Sequence, residues 1–358
     1  MSQLLFCDKV QSRATTYCLL GLTLLYLGTG SCLAQSSWEV LKQVGKLATR
    51  ASERNTTRLP VLGMEVNWLR ATSGEKLWQR AHGLPNLGLS LAIRNVGNPA
   101  LYGYDASLVP FLEFNLLRRP HTAVHVRHGT GLGYVTRRHE PSRNPDNQLL
   151  STHLNAASFL KVGLEARLGK YLLAEGGLDL RHLSNGNLFL PNLGLNTLGL
   201  YAGLQWASAP AAPSRPGTLD RRRSRWGWSP SLALGVSQQR KAGPHQFDWQ
   251  LSTLAVFQHD LRFRALGGAE ALFRQGQLRQ VGILLGEEVL FGRLGVRYLL
   301  GGSVYNAFDT GFLYEKVGVA YYPFRFNSEV PQGMYVGTSI KAYGFRASFV
   351  EVSAGFVF

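Results

Sequence analysis

His182 and Ser184 stand two residues apart in Arg181-His182-Leu183-Ser184-Asn185-Gly186-Asn187, and Pro191-Asn192-Leu193-Gly194-Leu195-Asn196 follows shortly after. A serine hydroxyl becomes an effective nucleophile when a base within hydrogen-bond reach takes its proton. The base works better when a third group fixes its tautomer and orientation. Donors beside the nucleophile stabilise the oxyanion of acyl transfer. His182, Ser184, Asn185 and the backbone at Gly186 are candidates for base, nucleophile and oxyanion donors, and Asn196 for the third group. A bare H-x-S-N-G string also fits plain turn chemistry at the end of a strand.

The surrounding segment alternates like a strand, in which residues i and i+2 leave on the same face. Leu172, Ala174, Gly176, Leu178 and Leu180 share the face of His182 and Ser184, while Glu175, Gly177, Asp179 and Arg181 share the other. The pair therefore belongs to an apolar face. In a soluble protein that face is core. In a membrane barrel it meets lipid, and a nucleophile–base pair there points to a lipid substrate. Residues 187–195 are turn-rich, with Pro191-Asn192 and Gly194 near the middle. A turn centred near Leu190 puts Ser184 roughly opposite Asn196.

The same two-faced alternation recurs from residue 86 to the chain end. Leu87, Leu89, Leu91 and Ile93 alternate with Gly88, Ser90, Ala92 and Arg94, and Leu294, Val296, Tyr298 and Leu300 alternate with Arg293, Gly295 and Arg297. One face is aliphatic and the other small, polar or charged, the pattern of an outer-membrane barrel with lipid outside and a polar lumen. A soluble antiparallel sheet with one wet face is the plainer alternative. The expected fold is all-β: a single antiparallel transmembrane outer-membrane β-barrel of about fourteen strands, range twelve to sixteen. Residues 86–358 hold it, divided into 86–206, a Pro/Arg-rich connector at 207–227, and further strands at 228–358. Residues 35–85 are expected as a periplasmic lead-in, with a possible first strand at 60–70.

Residues 1–34 have the form of an export signal: Lys9 and Arg13, the apolar run Tyr17 to Leu27, and small residues at Cys32 and Ala34. All three cysteines, Cys7, Cys18 and Cys32, lie within it, so an exported chain keeps neither a disulfide nor a thiolate metal site. Removing these residues, which include Lys9, Arg13 and Asp8, leaves 36 basic against 21 acidic residues, a net +15. Such a balance attracts polyanions. Nucleic acid is one, but export favours lipopolysaccharide phosphates, and Arg181 and the Arg137-Arg138 pair are candidates to hold them. The last residues, Val350 to Phe358, alternate and end in aromatic-x-Phe. That ending resembles the signal read by the outer-membrane barrel assembly machinery.

The strings His182-Leu183-Ser184-Asn185 and Pro191-Asn192-Leu193-Gly194 together resemble the motif of the PagL family of lipid A deacylases. Gly129 to Tyr134 and Ser151 to Ala156 look like segments of its longer members, the acyloxyacyl hydrolases, so the resemblance covers about 86–206. It implies an outer-membrane serine esterase that removes an ester-linked acyl chain from lipid A without a metal or cofactor. Ser184 is then the nucleophile, His182 the base, and Asn185 with the Gly186 backbone the oxyanion region. The family's third member is a Glu, and Asn196 occupies that place here. An Asn orients an imidazole without offsetting imidazolium charge, so slower catalysis is expected. His153 is an alternative base or a structural residue at a strand start. A calcium-dependent phospholipase barrel is a close rival, and the lack of an obvious acidic calcium loop counts against it. The rival of another class is a non-catalytic channel or structural barrel that retains the motif.

Overall fold

The computed structural model describes residues 36–48, 59–208, 222–241, 243–308, 311–324, 332–344 and 346–358. The expected export signal and most of the Pro/Arg-rich connector lie outside them. Sixteen antiparallel strands run in chain order: β1 Ser36–Leu47, β2 Val61–Ala71, β3 Asn86–Asn95, β4 Tyr104–Arg118, β5 Thr122–Val135, β6 Leu154–Arg167, β7 Leu172–Ser184, β8 Leu195–Ala207, β9 Arg222–Gln238, β10 His245–Asp260, β11 Phe263–Arg274, β12 Gln277–Phe291, β13 Leu294–Asn306, β14 Leu313–Tyr321, β15 Gly333–Tyr343 and β16 Arg346–Val357. One short helix, α1 (Leu77–Ala81), lies between β2 and β3.

The strands close into two barrels, β1 to β8 and β9 to β16. The expectation of one barrel of about fourteen strands is corrected here. The fourteen segments read from alternation match β3 to β16, but β8 pairs with β1 and β16 with β9, so each set of eight closes on itself. Alternation reports which face a residue occupies, not which strands meet at the seam. The possible strand at 60–70 is β2, and the lead-in also contains β1, which alternation did not reveal. In β1 the outward residues include Lys42 and Lys46 beside Trp38, Val40 and Val44, while Glu39 and Gln43 point inward. Charge on both faces hides the period of two.

Each lumen is filled by side chains, as eight strands allow. In the first barrel the Arg127 guanidinium binds Glu39 at 2.7 Å, Glu113 at 2.5 Å and Glu175 at 2.8 Å. Glu65 takes Lys161 at 2.5 Å and also pairs with Arg181, which reaches Asp179 at 2.9 Å. In the second, Glu270 holds Lys316 and Lys341 at 2.9 and 2.7 Å, and Glu288 holds Arg264 and Arg297. Buried charges are tolerable only when paired in this way.

The outward faces are aliphatic, with Leu160, Val162, Leu178, Leu180 and Leu200 exposed on the first barrel and Leu251, Leu285, Leu300 and Val319 on the second. Aromatic residues collect toward the ends. Trp38 pairs with Trp68 on one side and Trp206 on the other, forming a row across β2, β1 and β8. Among the described residues no helix is long and apolar enough to cross a membrane.

Candidate active site

β7 carries the site at its last residues. Its inward row is Leu173, Glu175, Asp179, Arg181 and Leu183, all buried, and its outward row runs through Leu178 and Leu180 to His182. His182 is exposed on the outer wall, and Ser184, next on that face, is covered to 5% exposure by the loop that follows it. The neighbouring strand β6 sets Ala156 across from Ser184 and Ser158 across from His182. Both neighbours are small, which leaves the ledge beside the imidazole open.

The register puts His182, not Ser184, opposite Asn196. The expected pairing is corrected by two residues because the chain turns early: Gly186 and Asn187 both take the left-handed conformation, at φ 67° and 72°. The consequence is chemical. His182 Nδ1 donates to Asn196 Oδ1 at 2.7 Å, which leaves Nε2 as the basic nitrogen. Gly194, at φ 73°, lies under the ring. A Cβ there would stand 3.0 Å from His182 Cε1, so the glycine gives the imidazole its room.

Ser184 Oγ accepts two hydrogen bonds, from the Gly186 amide at 3.1 Å and from Asn192 Nδ2 at 2.8 Å. Asn192 is held in turn by the Asn185 amide, which donates to its Oδ1 at 3.3 Å. No direct hydrogen bond joins His182 to Ser184 in this arrangement, and such bonds commonly tighten only with substrate present. The Asn185 side chain is committed elsewhere. Its Nδ2 donates to Ser151 Oγ, Thr152 Oγ1 and the Phe189 carbonyl, and its Oδ1 accepts from Asn187 N. It shapes the loop, and the donors that converge on Ser184 Oγ are Gly186 N and Asn192 Nδ2. Asn192 is the candidate site residue that the sequence left without a role. Its signal was an amide side chain in the P-N-x-G string close to H-x-S-N.

Other sequence candidates separate from the site. His153 Nδ1 donates to the Val135 carbonyl at 2.7 Å and its ring stacks on Tyr134, a structural arrangement. Arg181 is sealed in the lumen against Glu65 and Asp179, so it cannot meet a phosphate outside the wall. Arg137 donates to the Ala100 carbonyl, and Arg138 reaches Glu140 at 3.6 Å near the barrel's mouth.

A protein-family model for lipid A 3-O-deacylase (PagL) matches residues 62–205, from β2 into β8 of the first barrel. No curated protein matches the chain. Among solved structures, a mutant of the Rh. blastica porin aligns at 12% identity, covering 90% of this chain and 100% of that one, with a TM-score of 0.21. A BenF-like porin from Pseudomonas fluorescens Pf-5 aligns at 12% identity over 90% and 97%, with a TM-score of 0.24. The translocator domain of NalP from Neisseria meningitidis aligns at 10% identity over 97% and 98%, with a TM-score of 0.18.

Proposed function

We propose that this chain is an outer-membrane serine esterase that removes an ester-linked acyl chain from lipid A. The observation that carries the reading is the position of His182, Ser184 and Asn196 on the outward, aliphatic face of a closed barrel, at one end of the wall. A substrate embedded in the bilayer reaches that face without leaving the lipid. The family match over 62–205 supports the choice of lipid A.

His182 Nε2 takes the proton of Ser184 as Oγ bonds to the ester carbonyl carbon. The negative charge that develops on the carbonyl oxygen falls within reach of Gly186 N–H and Asn192 Nδ2. Protonated His182, steadied by Asn196, returns the proton to the leaving sugar oxygen as the carbon–oxygen bond breaks. Water then attacks the acyl-enzyme with His182 again as base, releasing the fatty acid and restoring Ser184. The residues need no cofactor for these steps.

Lipid A mass spectra from cells with and without the protein, alongside a Ser184→Ala variant, test the reading. Loss of one acyl mass with the wild type alone is expected. An unchanged spectrum with wild-type protein in the membrane, or full activity in Ser184→Ala, would sink it.

A further inference from the structure

The loop between Ser184 and Pro191 does not stand on its own barrel alone. Gln238, at the end of β9, is 6% exposed and grips this loop twice: its Oε1 accepts from Leu190 N at 2.7 Å and its backbone N–H donates to the Asn187 carbonyl at 3.0 Å. Its Nε2 donates to the Gly243 carbonyl at 2.7 Å, which fixes the side chain from behind. His245 on β10 adds a bond to the Leu188 carbonyl at 2.9 Å and meets the Phe189 ring edge-on at 4.9 Å. Asn187 Nδ2 donates to the Ser348 carbonyl at 2.9 Å. Gly186 lies so close to the second barrel that an added Cβ would be 2.4 Å from Val350 Cγ2.

Every residue from Gly186 to Leu190 thus touches the second barrel. Gly186 is also the residue whose amide points at Ser184 Oγ. Oxyanion donors act through position, and a displacement of about 1 Å costs roughly a hundredfold in rate. We propose that the second barrel is a positioning element of the active site, with Gln238 as the residue that holds the Gly186 donor in place. The role of this donor rests on the esterase reading above; the contact between the barrels does not.

The test compares full-length wild type, Gln238→Leu and His82→Ala. Gln238→Leu keeps the volume but removes the acceptor for Leu190 N. His82 joins the barrels at the opposite rim, where its Nε2 donates to the Leu290 carbonyl at 2.8 Å and its ring stacks on Phe291. On purified lipid A, Gln238→Leu is expected to lower kcat about tenfold to a hundredfold with KM within about twofold, as loss of a contact made in the transition state requires. His82→Ala is expected to keep kcat within about twofold of wild type. Amide hydrogen exchange, read in a Ser184→Ala background, should rise at residues 186–190 in Gln238→Leu alone. Unchanged exchange there would overturn the clamp. Faster exchange with unchanged kcat, or equal losses of kcat in both variants, would overturn the positioning role. A wild type inactive on lipid A would refute the esterase reading, and exchange would still decide whether the clamp exists.

Discussion

Gly194 shows how little room the imidazole has. The residue takes a left-handed φ and lies against His182 Cε1, so a methyl group added there is strained twice, by backbone and by contact. Gly194→Ala should tilt the ring away from Asn196 and lower kcat by about tenfold or more without loss of the folded barrel. Steady-state kinetics with a gel-mobility check of folding reads both. Asn192→Ala removes one of the two donors on Ser184 and should lower kcat about a hundredfold with a smaller change in KM. At Asn196 the expected order is different. Asn196→Ala should cost less than Ser184→Ala or His182→Ala, and Asn196→Glu should keep or raise the rate by offsetting imidazolium charge. An abolished rate in Asn196→Glu, with the fold intact, would contradict that role. The outward placement of His182 and Ser184 was legible from parity alone. The register was not, because the early turn at Gly186 and Asn187 depends on backbone angles that turn residues permit but do not dictate. Asn192 escaped for a related reason: its bond to Ser184 exists only once the loop folds back.

At the level of elements, the polar face of each strand serves to close its barrel. Arg127 on β5 gathers carboxylates from β1, β4 and β7. Substituting Arg127→Leu leaves Glu39, Glu113 and Glu175 buried together without the cation they share. Loss of one partner from such a buried group costs about 3–5 kcal/mol. A matching drop in the urea midpoint of the detergent-folded protein is expected, and an unchanged midpoint would contradict the network's role. Alternation identified β3 to β16 because each has one aliphatic face. It missed β1, where Lys42 and Lys46 point outward, and it could not say where the ring shuts, because closure is a contact between strands distant in sequence.

Across the whole molecule, β1 and β9 run in the same sense. The loop after Ser184 meets the β9–β10 turn at one rim, and α1 with His82 meets Phe263, Leu290 and Phe291 at the other. The two barrels therefore stand side by side and share both rims. Their packed lumens do not favour conduction. The orientation is testable because all three cysteines lie within residues 1–34. A membrane-impermeant maleimide on intact cells should label Lys241→Cys, since Lys241 is exposed beside the loop after Ser184 and bonded to Gln148. Lys170→Cys, exposed in the β6–β7 turn at the opposite end, should react only after the outer membrane is permeabilised. The reverse pattern would place the site on the wrong leaflet for lipid A.

The lumen ion pairs also carry a consequence for biogenesis. Glu39 and Arg127 are 88 residues apart, Glu65 and Lys161 are 96 apart, and Glu65 and Arg181 are 116 apart. The carboxylates of β1 and β2 therefore lie far along the chain from the cations that neutralise them. Strands entering the bilayer one at a time would carry bare charge into hydrocarbon. The second ring repeats the arrangement, with Glu270 on β11 waiting for Lys316 and Lys341 on β14 and β15. If the chain is an outer-membrane barrel, each ring is expected to come together as a unit before it meets lipid, because these charges are paired only once strands distant in sequence have met.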